Sequence, residues 1–196
     1  MKPLHIRTPL LESAPLSRVA GAKVWLKMEA MQPSGSFKLR GIGRACSHHV
    51  SRGTERLISS SGGNAGIAVA YCGRKLGVPV TVVVPVSTPE RAIDTIRNEQ
   101  AEVIVNGESW QEAHAHARSL CGPDSELIHP FDDPLLWQGH ATLIDEVAES
   151  GLRPDAVVLS VGGGGLLCGT LEGLHRHGMS DTPVLAVETD GAASLA

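Results

Sequence analysis

Short β-branched runs alternate with helical patterns along most of this chain, and that alternation restricts the fold more than any other feature. The runs fall at 57–60, 80–84, 102–105, 156–161 and 184–187. Between them, 65–76, 89–99, 110–120, 135–149 and 166–176 carry apolar residues at helical spacing. A strand that rejoins its sheet only after a helix runs parallel to its predecessor, so the expected class is α/β with parallel sheets. The βα units from about 57 to 130 predict one open sheet, with the segments before and after it packing together as a second and a cleft between two lobes. Helix punctuation agrees: Thr88-Pro89 reads as an N-cap with proline at the first helical position, and Gly77 closes the preceding helix.

Composition narrows the partners. The chain has 196 residues, 42% of them apolar, which is enough for a real core. Its net charge of -4 offers no field for a phosphate backbone or an anionic lipid surface, and 3% aromatic content is too sparse for base stacking, so nucleic acid and membrane are excluded as partners. No apolar run approaches the roughly 18 residues of a membrane span, and the first residues lack the apolar core of a signal peptide, so a cytosolic location is expected. Cys46, Cys72, Cys121 and Cys168 are widely spaced and read as free thiols. The paired histidines lack the i, i+4 spacing of a zinc site, so no metal is expected and the histidines read as exposed or capping side chains.

Three motifs carry chemistry. Gly162, Gly163, Gly164 and Gly165 stand between a strand and the helix that begins near Leu166. Four glycines let the backbone approach a bulky anion, and free amides with a positive helix end attract it, so this run reads as a phosphate cradle. Ser61, Gly62, Gly63, Asn64 and Ala65, again between strand and helix, suit a carboxylate, although the same residues also make ordinary caps. Pro33-Ser-Gly-Ser-Phe-Lys38 is a turn-rich approach that places Lys38 near a helix start, with Lys27 and Arg40 close in sequence. A lysine beside positive charge loses its proton more easily and becomes a nucleophile.

A phosphate cradle, a carboxylate loop and an activatable lysine are the three handles of an amino acid held on pyridoxal phosphate. Ser-Phe-Lys-Leu-Arg-Gly, Ser-Ser-Gly-Gly-Asn-Ala-Gly and Gly-Gly-Gly-Gly-Leu, in this order, resemble the fold type II pyridoxal-phosphate enzymes, and most of all their serine/threonine dehydratase branch. Trp137-Gln-Gly-His-Ala and Val187-Glu-Thr-Asp-Gly-Ala extend the likeness along the whole chain. The resemblance implies two twisted, mostly parallel sheets with flanking helices, residues 1–38 with 135–196 forming an incomplete large domain and 39–134 a small one. It implies that Lys38 carries the cofactor as a Schiff base, that Phe37 packs on the ring face, and that Asn64 meets the ring hydroxyl. Gly162, Gly163, Gly164, Gly165 and Leu166 would hold the phosphate, Glu188 would be an acid near the cofactor, and Ser61 to Ala65 would take the substrate carboxylate. The implied activity is conversion of serine to pyruvate and ammonia, and of threonine by the same route, by a cytosolic homodimer. Racemisation, β-replacement and an inactive cofactor-binding fragment are the alternatives, since the family continues beyond the last residue seen here.

A dinucleotide-binding unit is the rival outline, because 156–188 spells strand, glycine turn, helix, strand and acid. Its third glycine is missing: Gly162-x-Gly164 leads to Leu167, and Gly163-x-Gly165 leads to Cys168. That outline also leaves Lys38 and the Ser61 loop without a role.

Overall fold

The computed structural model describes residues 2–195. Met1 and Ala196, the outer limits of the expected large domain, lie outside the described residues. The centre is a four-stranded parallel sheet of β3 (Arg56–Ser59), β4 (Val80–Val84), β5 (Glu102–Val105) and β6 (Ser125–Leu127), in the order β5-β4-β3-β6. Leu57 stands opposite Val80 on one side and Glu126 on the other, and Val82 opposite Val103. All five residues of β4 are buried, as a strand covered on both faces requires.

Helices α3 (Asn64–Leu76), α4 (Glu90–Asn98) and α5 (Trp110–Ser119) make the crossovers. Gly77 ends α3 with φ of 74°, the left-handed cap that its sequence predicts. The start of α4 differs from expectation: Pro89 is itself the cap, with ψ of 139°, and Thr88 lies in a turn on the Pro85 carbonyl. Proline at that position supplies its carbonyl to Ala92 and Ile93 without owing an amide of its own.

Helix α2 (Lys38–Ser51) lies against α3, burying Leu39, Ile42 and Cys46 with Val69, Cys72 and Leu57. Its other side meets α6 (Pro134–Glu149), capped by Asp133, which accepts from the Leu135 amide at 2.7 Å. The two helices touch backbone to backbone. A Cβ at Gly139 would stand 2.4 Å from the Arg40 carbonyl, and one at Gly41 would stand 2.6 Å from that of Leu136. Helix α7 (Gly165–Arg176) packs on the far side of α6 and joins β7 (Val157–Ser160) to β8 (Val184–Val187), which pair in parallel.

The second sheet is thus two-stranded among the described residues. A separate antiparallel ribbon of β1 (Leu10–Glu12) and β2 (Trp25–Lys27), joined through α1 (Ala14–Ala20), was not expected from the sequence. No helix among the described residues is long and apolar enough to cross a membrane.

One ionic group ties these parts together. Arg40 is wholly buried and donates to Glu29 at 2.7 and 2.8 Å, to Glu146 at 2.7 and 2.9 Å and to Thr142 at 3.0 Å. Lys27 reaches Glu146 at 2.5 Å and also bonds Thr8 Oγ1. Burial is the largest single influence and pushes both carboxyls up, but the hydrogen bonds and charge of Arg40, joined by hydrogen bonds from Thr8 and Gln32 at Glu29 and by Lys27 at Glu146, together hold both below the usual carboxylate range.

Candidate active site

Lys38 is the first residue of α2, and its Nζ donates to the Pro130 carbonyl at 2.6 Å. Burial lowers its pKa from 10.5 to about 8. The direction is the one its sequence context suggests, but the cause is different. Arg40 and Lys27, its cationic neighbours in sequence, are matched by Glu29 and Glu146, so desolvation rather than positive charge frees the amine. Phe37 lies beside it, its ring centre 5.3 Å from Nζ.

Pro130 belongs to a turn that also supports the glycine run. A Cβ at Gly163 would stand 2.2 Å from the Phe131 ring, and one at Gly165 would stand 2.7 Å from the Phe131 carbonyl. Any side chain at either position would displace Phe131. Gly162 and Gly164 face open space instead, with nothing within 4 Å of an added Cβ, and Gly164 takes φ of 82°. The run therefore has one side closed by Phe131 and one side open, at the N-terminus of α7, where amide donors lack carbonyl partners in the helix. Leu166 follows in the first turn of α7. The open side and the buried amine fit a phosphorylated aldehyde: an anion on the amides, a carbonyl carbon at Lys38.

The Ser61 loop lies on the neighbouring strand end. Gly63 caps α3 through its backbone alone, and its amide donates to Ser61 Oγ at 3.3 Å. Asn64 opens the helix and is exposed, whereas Ala65 is buried, so its side chain belongs to the core. The hydroxyls just before the loop are placed elsewhere. Ser60 Oγ is 2.9 Å from His114 Nδ1, and Ser59 is buried in the sheet. Gly66, within the same motif, makes the loop possible: an added Cβ would stand 1.8 Å from the Ser61 carbonyl oxygen. Glu188 accepts from the amides of Ser194 and Leu195 at 2.6 and 2.8 Å, and Ser194 Oγ reaches the Gly162 carbonyl, which places the acid beside the glycine run.

The histidines correct the sequence reading most. His140 is fully buried, its ring edge-on to Phe37 at 5.1 Å, and neither ring nitrogen has a hydrogen-bond partner among the described residues. Burial, with the charges of Lys38 and Arg40, lowers its pKa from 6.5 to about 3. The fold holds this imidazole neutral, so its contribution to stability is whole above pH 6.5 and is lost as pH falls towards 3. At pH 4.5 the loss reaches about 2–3 kcal/mol, one proton's worth over two pH units. Urea titrations of the native chain and His140→Gln between pH 7 and 4.5 should show a shallower decline for the variant; equal slopes would contradict the assignment. His114 and His129 form a partly exposed cluster with Trp110 and Phe131, with ring centres 4.6–6.5 Å apart. Nothing in the local sequence marks them, because they meet only through the sheet.

The pyridoxal-phosphate dependent enzyme family matches residues 1–196, and the chain belongs to that family. Among its relatives, human L-serine dehydratase/L-threonine deaminase is 50% identical over 197 residues, a match covering 99% of this chain and 60% of that protein. The crystal structure of a fungal L-serine ammonia-lyase from Rhizomucor miehei superposes with a TM-score of 0.91 at 41% identity, covering 97% of this chain and 62% of the other. Processed threonine deaminase isoform 2 from Solanum lycopersicum gives 0.88 at 33% identity, covering 97% of this chain and 53% of the other. The chain thus spans about 60% of the length of the curated relatives it matches. The fold is that of these lyases, and the rival dinucleotide-binding outline is set aside.

Proposed function

We propose that this chain carries the cofactor lysine, phosphate cradle and carboxylate loop of a pyridoxal-phosphate-dependent L-serine dehydratase that also accepts L-threonine. The observation that carries the reading is Lys38: a buried amine, fixed on the Pro130 carbonyl, on the same turn that closes one side of the glycine run. Relatives named for serine and threonine deamination support the choice of substrate.

When bound, pyridoxal phosphate supplies an aldehyde carbon for an amine and a ring that withdraws electrons from the substrate Cα. The chain's own residues do the rest. Gly162, Gly163, Gly164, Gly165 and Leu166 would offer amides to the phosphate, Phe37 would flank the ring and Asn64 would meet its hydroxyl, and Glu188 stands by the glycine run. Ser61, Gly62, Gly63, Asn64 and Ala65 hold the substrate carboxylate and so orient the Cα–H bond. With a pKa of about 8, roughly a tenth of Lys38 is neutral at pH 7, against under a thousandth at 10.5. That free amine is the base that takes the Cα proton once the substrate amine has replaced it. The seryl β-hydroxyl then leaves with a proton as water, and the released aminoacrylate takes up one water to give pyruvate and ammonia. The family resemblance supports a homodimer and the division into a large unit, 1–38 with 135–196, and a small one, 39–134, and a cytosolic location remains an expectation from the sequence.

The test is the absorption spectrum of the purified chain with pyridoxal phosphate, for the native sequence and Lys38→Ala, followed by serine and detection of keto acid. A cofactor band lost in Lys38→Ala, with pyruvate formed only by the native chain, is expected. A band that persists in Lys38→Ala would sink the assignment of the lysine.

A further inference from the structure

Lys38 and the glycine run sit on separate elements, α2 and α7, and the turn at 130–132 is what both touch. Pro130 gives its carbonyl to Lys38 Nζ at 2.6 Å, and Phe131 lies against Gly163 and Gly165. The turn is held from three sides. Trp137 Nε1 donates to the Phe131 carbonyl at 2.9 Å, and Asp133 starts α6 by accepting from Leu135. The third hold is His129 Nδ1, which accepts from the Asp132 amide at 2.8 Å and from the Phe131 amide at 3.3 Å. An imidazole nitrogen that accepts two amides carries no proton, so the hydrogen sits on Nε2.

We propose that His129 is a positioning residue for Lys38: the lone pair of its Nδ1 shapes the 130–132 turn, which anchors the lysine on one side and backs the phosphate cradle on the other. This rests on the reading of Lys38 as the cofactor lysine. A proton on Nδ1 would remove the acceptor from both amides at once, free the Pro130 carbonyl to swing, and release Lys38 from its anchor. Asp132 and Asp133 on the turn favour that proton, while Lys38 of α2 and His114 of α5 oppose it. Burial is the largest influence and also opposes it, so His129 is held below its ordinary 6.5. The latch is closed at neutral pH and opens on acidification.

The experiment compares the native chain with His129→Asn and His129→Leu. Asparagine keeps an acceptor oxygen close to where Nδ1 stands but does not titrate, and leucine keeps bulk without an acceptor. The first readout is the rate of pyridoxal phosphate capture at Lys38, trapped with borohydride and read by peptide mass from about pH 5.5 to about pH 9. His129→Leu is expected to slow capture about tenfold or more at pH 8, the scale of a misplaced reacting group. His129→Asn should stay within about threefold and, below pH 6.5, keep only the decline that protonation of Lys38 itself imposes, losing the extra steepness that the native chain shows there. The second readout, ring nitrogen shifts of the cofactor-free chain, should give the neutral Nε2–H tautomer for His129 at pH 7. Capture by His129→Leu at the native rate, or an Nδ1–H tautomer, would overturn the proposal. So would folded His129→Asn failing as badly as leucine, since the acceptor would then not be what matters. Capture that survives Lys38→Ala in the otherwise native chain would instead refute the assignment of the lysine.

Discussion

Arg40→Met is expected to lower unfolding free energy by about 3–5 kcal/mol, the usual cost of removing one partner from a buried ion pair. Arg40 and Lys27 face Glu29 and Glu146, two charges of each sign, and Arg40 makes most of the bonds. Its loss leaves one uncompensated negative charge among groups whose side chains are at most 13% exposed. Methionine fills the stem's space but offers no donor. Because total stabilities run to about 5–15 kcal/mol, from about a fifth to most of the margin goes with this one side chain. The pH dependence follows from the depressed carboxyls. Their contribution is present above the ordinary value of 4.5 and lost as pH falls through their lower native values. In the variant that advantage is already gone, so the deficit measured by urea midpoint should shrink below about pH 4.5. A deficit independent of pH would mean that packing rather than charge is what Arg40 contributes.

Gly66→Ala is expected to damage substrate binding more than cofactor attachment. Its Cβ would stand 1.8 Å from the Ser61 carbonyl oxygen, a distance that no side-chain adjustment relieves, so the loop backbone must move. Overpacking of this kind costs about 1–3 kcal/mol of stability. The loop's amides then no longer converge on a carboxylate. The serine concentration giving half the maximal change in the cofactor spectrum should rise more than about tenfold, equivalent to about 1.4 kcal/mol. The Lys38-dependent band itself should survive. Gly122→Ala, where an added Cβ meets nothing within 4 Å, should leave both quantities unchanged. Normal serine response in Gly66→Ala would mean that the loop does not hold the carboxylate.

The alternation of strand and helix was legible because β4 is a continuous β-branched run, β5 follows its Glu102 with three β-branched residues, and α3 ends on a glycine in the left-handed region. Strand β6 was not, since Ser125-Glu-Leu has no such bias and pairs only because β3 presents an open edge. The hairpin of β1 and β2 is equally short, three residues each, and is set by the Arg40 group that Lys27 joins. Within the site, Lys38 and the glycine run declare themselves by residue type and spacing. What surrounds them does not. The basic neighbours of Lys38 in sequence suggested a cause that Glu29 and Glu146 cancel from elsewhere in the chain. His140 read as an exposed or capping side chain, because burial at a helix-to-helix contact is a property of partners distant along the chain.

Helices α2, α3 and α7 all begin at the proposed site, with Lys38, Asn64 and Gly165 as their first residues. A helix start carries about half a positive charge; under the proposed function that of α7 is met by the cofactor phosphate, and those of α2 and α3 would give an incoming zwitterion a sense of direction. If the proposed function holds, the carboxylate end of an amino acid would be drawn in and its ammonium end held back towards solvent until the carboxylate has docked. Orientation would then precede any contact with the reacting carbon, and the molecules sorted out first would be amines that bring no anion of their own.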